Sequence, residues 1–414
     1  MKKVLILAYD FPPYNSIGGQ RPYAWYRYLL EFNIKPSIIT RQWNVEAYGN
    51  QLAYHKAGMS NQIIVEKTIY GEIHYTPYKP NFRDKLTLKK RLLPRMLAKF
   101  FTLLQILTDP FLFVFDNKKG IYKYANRLLK TQTYDYIMVS GEPFVLFRYA
   151  SKLSKKYKIP WIADYRDGWS WNHTLNNKLL KYYLKFCEKQ HTKSAWCITT
   201  VSKSFQVKLK TLFPITPVHV IYNGYFSELF QTIETKETNC FRIAFSGTLY
   251  SYQPIELFFN ALKAVPINQF PKDFEIIFYG LKEQKAQKAR VETIAKSHPH
   301  WNVHITDKYS QTDLISALNE ASICLLPANP NYPQIYAKVF EYIALNKPIL
   351  YFQPDDLDLD DILENYPNVI PCETEQEITQ ALMQCFINPK PQKSTKQTQY
   401  TRQYQISRLA VLLS

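Results

Sequence analysis

Four short stretches of the sequence combine residue types that can bind a phosphate or a sugar. In the first, Gly18 and Gly19 are followed by Arg21 and come soon after the apolar run VLILAY (4–9). Glycine lets the backbone approach a ligand closely, and a helix starting there would direct free N–H groups at an anion. This stretch could therefore hold a phosphate or sugar oxygens. An ordinary strand-to-helix turn explains the glycines equally well, and the absence of GxGxxG gives no support to a nicotinamide or flavin site.

The second stretch, DYRDGW (164–169), places a carboxylate on either side of an arginine. If it lines a cleft, Asp167 could orient or deprotonate an acceptor hydroxyl, while Arg166 contacts a phosphate or holds the aspartate. The alternative is a structural Asp–Arg pair that anchors the loop, with Trp169 packed in the core. The residues alone leave both interpretations open.

The third and fourth stretches suggest a nucleotide. Gly247, Thr248 and Tyr250 follow the apolar run FRIAFS directly, where a strand would end. Further along, Lys338 and Glu341 are three residues apart, so on a helix they share one face. A cation suits a diphosphate, and a carboxylate can accept hydrogen bonds from both hydroxyls of a ribose. A surface Lys–Glu pair, common on any helix, is the alternative.

The elements that must position these residues are parallel sheets. Apolar strand-like runs alternate with helix-length segments along the chain, which predicts an α/β architecture with helices on both faces of each sheet. The polar stretch 228–240 reads as a linker, so we predict one Rossmann-like domain over 1–228 and a second over 229–393. The tail, 394–414, ends in an apolar stripe at helical spacing and is expected to dock as a helix.

Polar, charged or glycine-containing residues cluster where the strand-like runs end. Ligands of open α/β sheets bind at the carboxyl ends of the strands. We therefore expect the two domains to face each other across a central cleft lined by these loops.

The charge balance predicts an anionic partner. The chain has 52 Lys and Arg against 34 Asp and Glu, a net charge of +18, which favours a phosphorylated ligand, an acidic lipid surface or a nucleic acid. The basic residues are dispersed and no nucleic-acid recognition motif is present, so we expect no nucleic acid.

The six cysteines contain no CxxC pair and read as free thiols in a reducing compartment. The first apolar run is too short for a signal peptide, and no run approaches the ~20 residues of a spanning helix. We therefore expect a cytoplasmic protein.

Two motifs resemble metal sites without predicting one. The acids of DLDLD (356–360) precede a helix, where they favour its dipole without a metal. The histidines of HPHWNVH (298–304) have no nearby cysteine or acid to complete a ligand set and lead into a strand. We expect neither a metal nor another cofactor.

The segment 84–130 could contact a membrane. Basic residues bracket the runs LAKFFTLLQIL and PFLFVF, and a basic amphipathic helix can lie at the interface of an anionic bilayer. A helical pair that packs on its own domain is the alternative. A peripheral position on the inner face of the plasma membrane would suit a lipid-linked acceptor.

The order of these motifs resembles bacterial retaining glycosyltransferases of family 4. The resemblance rests on 12–40, on YKIPWIADYRDGWS (157–170) with its D-x-R-D-x-W pattern, on 241–262, and on KVFEYIALNKPIL (338–350) with its K-x-x-E-Y helix. It spans nearly the whole chain. It implies the GT-B fold, with two Rossmann-like α/β/α domains and a last helix that crosses back to the N-terminal domain.

The resemblance also implies roles for the residues singled out above. In this family the Gly-Gly loop, here Gly18 and Gly19 with Arg21, approaches the donor phosphates and the acceptor. The donor loop corresponds to Gly247, Thr248 and Tyr250, and the donor-binding helix to Lys338 and Glu341. Arg166 and Asp167 are the expected catalytic pair, because the histidine that many members use in this loop has no counterpart within the motif.

Two features depart from the family pattern. The position two turns before Glu341 lies in NYPQ and carries no acid, and the Arg–Lys pair of the donor loop is missing from FSGTLYSYQP. The expected function is that of a metal-independent hexosyltransferase (EC 2.4), retaining configuration and moving a sugar from a nucleoside diphosphate to a glycan or lipid-linked acceptor of a cell-surface polysaccharide. A catalytically inactive glycan-binding or scaffold protein with the same fold is the alternative.

Overall fold

The structure of the chain is a computed structural model that divides into two compact units, each built on a largely parallel sheet. It describes residues 1–14, 16–44, 54–89, 91–113, 115–172, 175–231, 233, 240–332, 334–354, 357–388, 392 and 397–414. The first unit comprises Met1–Val201, Phe205–Tyr222 and Gln405–Ser414, and the second comprises Ser202–Ser204 and Asn223–Tyr404. The division into domains at 228/229 and 393/394 stays a prediction.

The first unit is built on an eight-stranded sheet. Its strands, in chain order, are β1 (Lys2–Leu7), β2 (Ile34–Arg41), β3 (Ile64–Lys67), β4 (Glu72–Thr76), β5 (Tyr136–Gly141), β6 (Trp161–Tyr165), β7 (Cys197–Thr200) and β8 (Val218–Val220). They lie in the order β3-β4-β2-β1-β5-β6-β7-β8. The β3–β4 pair is antiparallel and the others are parallel.

Helices cover this sheet and connect its strands. They are α1 (Ile17–Tyr28), α2 (Phe82–Thr87), α3 (Leu92–Thr108), α4 (Lys119–Leu128), α5 (Val145–Tyr157), α6 (Lys178–Thr192) and α7 (Lys203–Leu212). The central strands are continuously apolar because they are buried on both faces. Val4, Leu5, Ile6 and Leu7 of β1 are all fully buried.

The second unit has a six-stranded parallel sheet. Its strands are β9 (Phe241–Ser246), β10 (Phe274–Tyr279), β11 (Val303–Ile305), β12 (Ile323–Pro327), β13 (Ile349–Phe352) and β14 (Val369–Cys372), in the order β11-β10-β9-β12-β13-β14. The helices are α8 (Ile255–Lys263), α9 (Lys285–Ala295), α10 (Gln311–Asn319), α11 (Lys338–Ala344), α12 (Asp358–Leu363), α13 (Glu375–Ile387) and α14 (Arg402–Leu413). Most of α14, from Gln405 onward, belongs to the first unit.

Each sheet has a position where the strand order reverses. β1 lies between β2 and β5, and β9 lies between β10 and β12. The loops that leave two such strands run to opposite faces of the sheet and open a crevice, which is where α/β sheets bind ligands. The loops after β1 and β5, and those after β9 and β12, are therefore the places to look for a site.

The cysteines, the helix lengths and one pair of strands can be compared with the sequence. The six cysteines are free thiols and four of them are buried. Among the helices of the described residues, none is both long enough and apolar enough to cross a bilayer. The strands β3 and β4 were not expected, because the residues of β3 are exposed and alternate too little to mark a strand.

Candidate functional site

In the first unit, the glycine pair lies against a side chain of the protein itself. A methyl group added to Gly18 would come within 1.6 Å of Nη1 of Arg166, so the guanidinium packs directly on this glycine. Gly19 lies in the first turn of α1, and its N–H donates to Oγ of the capping residue Ser16 at 2.9 Å. The glycines are therefore needed for the close approach of Arg166 and of the preceding loop, which the sequence alone did not show.

Arg21 is directed into the interior. Its Nε and Nη2 donate to both carboxylate oxygens of Asp164 at 2.7–3.0 Å, and its Nη1 donates to the carbonyl of Ile221 at 2.8 Å. Arg21 is 3% exposed and Asp164 is fully buried. Asp164 also accepts from the hydroxyl of Thr199 at 2.6 Å. We assign Arg21 a structural role, joining α1 to β6 and to the residue after β8, because its donors are committed to these partners.

Arg166 is a second cation at this crevice, with 17% of its side chain exposed. Its Nε donates to the carbonyl of Gly141 at 2.9 Å and its Nη2 to that of Glu142 at 3.0 Å, both at the end of β5. The guanidinium lies 3.6 Å from the carboxylate of Asp10 and 3.7 Å from that of Asp167. The structure thus brings Gly18, Arg166 and Asp167 together at the carboxyl ends of three neighbouring strands.

Three carboxylates surround this one guanidinium. Burial raises the pKa of Asp10 despite the opposing charge of Arg166, and burial together with Asp167 raises the pKa of Glu142. Burial lowers the pKa of Arg166, but Asp167 and Asp10 outweigh it, so the net shift is upward. Two of the three carboxylates are accessible, because Glu142 is exposed and 45% of the Asp167 side chain is exposed. Asp167 is therefore placed to contact a hydroxyl group of a ligand.

Asp10 and Glu142 were not among the site residues predicted from the sequence. Both are acids at strand ends, Asp10 after β1 and Glu142 after β5. That position was the available signal, because strand ends at an order reversal line the crevice. Trp169 is in the core, as in the structural alternative for this stretch, and its ring stacks on that of Phe144 with centroids 4.9 Å apart.

In the second unit, the loop after β9 is held in a defined conformation. Gly247 has a φ of +79°, a conformation that glycine adopts without strain, and a Cβ there would meet no atom within 4 Å. Its carbonyl accepts from Nε2 of Gln284 at 3.2 Å, and Gln253, which is 1% exposed, accepts from the N–H of Tyr250 at 2.9 Å. The backbone at Gly247 is thus fixed and faces open space.

Lys338, at the start of α11, reaches this loop. Its Nζ donates to the carbonyl of Thr248 at 3.4 Å and lies 3.5 Å from the ring centroid of Phe245. The side chain is 8% exposed, and burial lowers the pKa of Lys338 well below its ordinary value, with Glu341 opposing the shift. An anion bound next to Nζ would favour the charged ammonium.

Glu341 is a half-buried carboxylate one turn further along α11. Burial raises its pKa to about 7, and the charges of Lys338 and Arg402 oppose that rise. Among the residues that the structure describes, no group donates a hydrogen bond to its carboxylate, which is partly open to solvent. The carboxylate therefore retains its capacity to accept hydrogen bonds from a ligand.

A tyrosine cluster lies beside these residues. The rings of Tyr250 and Tyr252 stack with centroids 5.2 Å apart, Tyr252 also contacts Tyr332 at 4.8 Å, and Tyr250 lies 6.1 Å from Tyr336. Lys338 Nζ is 6.0 Å from the ring of Tyr336. Tyr332 and Tyr336 were not among the site residues predicted from the sequence, although both stand between β12 and Lys338 in NPNYPQIYAK.

One residue of each metal-like motif has a structural explanation, and Asp356 of the first motif lies outside the described residues. Asp358, in the first turn of α12, accepts from the backbone N–H and the hydroxyl of Ser204. His298 stacks on the buried Trp301 with ring centroids 4.0 Å apart. Within the described ranges, no group of three or more His, Cys, Asp or Glu side chains could hold a metal ion.

Comparison with known proteins supports one fold. The model of Glycosyltransferase Family 4 matches residues 110–228. The chain is similar over its whole length to sucrose-phosphate synthase from Thermosynechococcus elongatus, with a TM-score of 0.60, 13% identity and 94% of that chain covered. It is also similar to HepE from Anabaena in complex with UDP-glucose, with a TM-score of 0.57, 13% identity and 95% coverage.

A third similar structure is the catalytic domain of starch synthase IV from Arabidopsis thaliana bound to ADP and acarbose, with a TM-score of 0.58, 12% identity and 98% coverage. Each of these matches covers 100% of the present chain. A search of curated proteins finds no significant match. The expected fold and family resemblance are confirmed: the chain has the GT-B fold and is similar to glycosyltransferase family 4, with the family match in residues 110–228.

Proposed function

We propose that the chain is a retaining glycosyltransferase that moves a sugar from a nucleoside diphosphate to a glycan or lipid-linked acceptor in cell-surface polysaccharide synthesis. The observation that carries this proposal is the arrangement in the second unit. A buried lysine reaches the open Gly247–Thr248 backbone, and a half-buried carboxylate lies one turn away. HepE binds UDP-glucose and starch synthase IV binds ADP, which supports a nucleotide in the corresponding fold.

Each residue of this arrangement suits one part of the donor. Lys338 would contact the diphosphate, whose negative charge offsets the cost of burying the ammonium. The open backbone at Gly247 leaves room for the phosphates, and Glu341 would accept hydrogen bonds from the ribose hydroxyls. Tyr250 and its neighbours offer a flat face on which a base could stack.

The protein's main catalytic task would be electrostatic. Negative charge develops on the diphosphate as the bond to the sugar breaks, and a preorganised cation stabilises that charge most strongly in the transition state. Lys338 supplies the cation without a metal. By resemblance to family 4, the diphosphate leaves from the face that the acceptor attacks and assists removal of the acceptor's proton. Asp167, held by Arg166, would orient the acceptor hydroxyl.

The alternative, a glycan-binding or scaffold protein without activity, is favoured by a specific observation. Gln334 stands two turns before Glu341, where family members often carry a second acid, and it accepts a hydrogen bond from Tyr252 at 3.0 Å. The loop GTLYSYQP (247–254) also lacks the usual cations. The charge on the diphosphate would then rest on Lys338 and backbone N–H groups.

Binding of nucleoside diphosphates separates the two functions. We expect UDP, GDP or ADP to raise the melting temperature of the wild-type protein and to have no effect on Glu341→Ala. Glu364→Ala, an exposed glutamate in the same unit, is the matched control and should respond like wild type. A screen of nucleotide sugars for donor hydrolysis would then identify the sugar. Absence of a shift with all three diphosphates would favour the scaffold.

A further inference from the structure

The helix α3 has an unusual distribution of apolar side chains. Of its 17 residues, only Ala98 and Gln105 are buried. Thr102 also points inward, accepting from Nε of Arg83 at 3.0 Å. The large apolar residues instead form an exposed stripe, between 40% and 75% exposed: Leu92, Met96, Phe100, Leu103 and Leu107. A helix normally buries this stripe against its own domain, so the outer face of α3 is an unpartnered apolar surface.

The exposed surface continues onto α6. Phe111, just after α3, lies 6.3 Å from the ring of Phe186, and the hydroxyl of Tyr183 donates to the carbonyl of Leu107. Phe186 and Tyr182 are 53% and 73% exposed on the same helix. We call this continuous face of the first unit, formed by the stripe of α3 together with Phe111, Tyr182 and Phe186, the α3–α6 surface.

The helix is held firmly enough to present this surface. Arg148 of α5, which is 1% exposed, donates to the carbonyls of Asp109, Phe111 and Leu112. These bonds fix the end of α3 and the turn that follows it. The stripe is therefore exposed even though the end of the helix that carries it is fixed to its own unit.

The charges that border the apolar stripe are all positive. Arg91, Arg95 and Lys99 are exposed on or next to α3, and the sequence from 85 to 108 contains no Asp or Glu. On α6 the single acid, Glu188, is fully buried and accepts from the N–H of Ser170 at 3.1 Å, whereas Lys185 is exposed. An apolar stripe edged by cations is complementary to a bilayer with anionic headgroups.

A basic groove adjoins the same helix. Phe115 lies 6.5 Å from the ring of Phe101 of α3 and lines a groove that also contains Lys119, Lys123 and Arg127. These three cations follow one another at intervals of four along α4, so they share one face of that helix. The groove could receive phosphate groups of lipids that lie against α3.

We propose that the α3–α6 surface docks the protein on an anionic lipid bilayer. The apolar stripe would enter the boundary between headgroups and acyl chains, and the bordering lysines and arginines would contact lipid phosphates. A second copy of the chain is a poorer partner, because a twofold contact would bring the same cationic border against itself. The inference stands independently of the proposed reaction, although it would suit a lipid-linked acceptor.

Vesicle co-sedimentation tests the proposal without donor or acceptor. We expect the wild-type protein to bind vesicles of phosphatidylcholine with phosphatidylglycerol far better than phosphatidylcholine alone. Replacing Met96, Phe100 and Leu103 together by Gln should weaken binding about tenfold or more. Replacing Arg91, Arg95 and Lys99 by Gln should weaken it about a hundredfold at low salt, since each cation near an anionic surface contributes about fivefold.

The matched control carries the same number of changes elsewhere. Ile215, Ile267 and Ile387 are 76–95% exposed, and their joint replacement by Gln should leave vesicle binding unchanged. Because all of these side chains are already exposed, circular dichroism melts should match wild type. Equal binding by the Met96/Phe100/Leu103 variant would overturn the proposal. The proposal would also be overturned if the wild-type protein does not bind anionic vesicles, or if the wild-type protein is a dimer in solution and this variant is a monomer. UDP binding is measured separately, so its failure would affect only the proposed function.

Discussion

The contact between Gly18 and Arg166 gives a quantitative prediction. Replacing glycine by alanine inside a helix normally stabilises a protein by up to about 1 kcal/mol, because alanine has the higher helix propensity. Here the new Cβ would lie 1.6 Å from Nη1 of Arg166, so the guanidinium must move. It would then lose its hydrogen bonds to the carbonyls of Gly141 and Glu142.

The size of the effect follows from those two bonds. Hydrogen bonds to a charged group contribute about 1.5–3 kcal/mol each, and solvent screens this pair in part, because 17% of the Arg166 side chain is exposed. We expect Gly18→Ala to lower the free energy of unfolding by about 1–3 kcal/mol after the gain in helix propensity is subtracted. In an Arg166→Ala background there is no guanidinium to displace, and the same change should stabilise the protein by up to about 1 kcal/mol.

A double-mutant cycle measures this change of sign. The four proteins (wild type, the two single variants and the double variant) are compared by thermal unfolding at one protein concentration, where about 1 kcal/mol moves the midpoint by about 2–4 °C for a unit of this size. Gly19→Ala is not a suitable control because Gly19 contacts the backbone of Phe11. If Gly18→Ala has the same effect with and without Arg166, the packing of the guanidinium on the glycine is refuted.

Three further predictions concern the two units. Lys338→Met should weaken UDP binding about 10- to 100-fold and leave uridine binding nearly unchanged, because only UDP carries the phosphates. Calorimetry measures both affinities, and equal losses for the two ligands would contradict the contact between Lys338 and the diphosphate. The pKa of Glu341 is raised to about 7, so its carboxyl group loses its proton as the pH rises through neutrality. Because the carboxylate would accept hydrogen bonds from ribose hydroxyls, uridine affinity should increase from about pH 6 to about pH 8. Glu341→Gln should abolish this pH dependence, and a flat wild-type profile would argue against a ribose contact. Arg21→Met should lower the free energy of unfolding by about 3–5 kcal/mol, because it leaves Asp164 buried without its cation. If urea unfolding shows that the free energy of unfolding decreases by less than about 1 kcal/mol, Arg21 does not stabilise the protein through this pair.

The α/β architecture was predictable from the sequence because it rests on local patterns. Continuous apolar runs such as those of β1 and β9 mark strands buried on both faces, and glycines or charged residues mark their ends. The edge hairpin β3–β4 was not predictable in the same way, because its first strand is exposed throughout and carries no such pattern.

Much of the second unit's candidate site could also be predicted from the sequence. Lys338 and Glu341 are linked by helical spacing, and Gly247 stands directly after a buried strand. Their meeting depends on β9 and β12 being neighbours, which the sequence does not state. That pairing also brings Tyr336 near Tyr250 and Tyr332 against Tyr252. The sequence places both residues after β12 but does not state these contacts.

The sequence by itself determined which residue types stand at the strand ends and which helices carry apolar stripes. Only the tertiary structure decided which way those side chains point. Arg21 and Arg166 are equally cationic in the sequence, but Asp164 draws one into the interior while Gly18 leaves space for the other at the surface. Likewise, the stripe of α3 would suit either a core or a membrane, and packing through Ala98 and Gln105 leaves it exposed. Local patterns follow from neighbours in the chain, whereas burial and charge pairing follow from residues that only folding brings together.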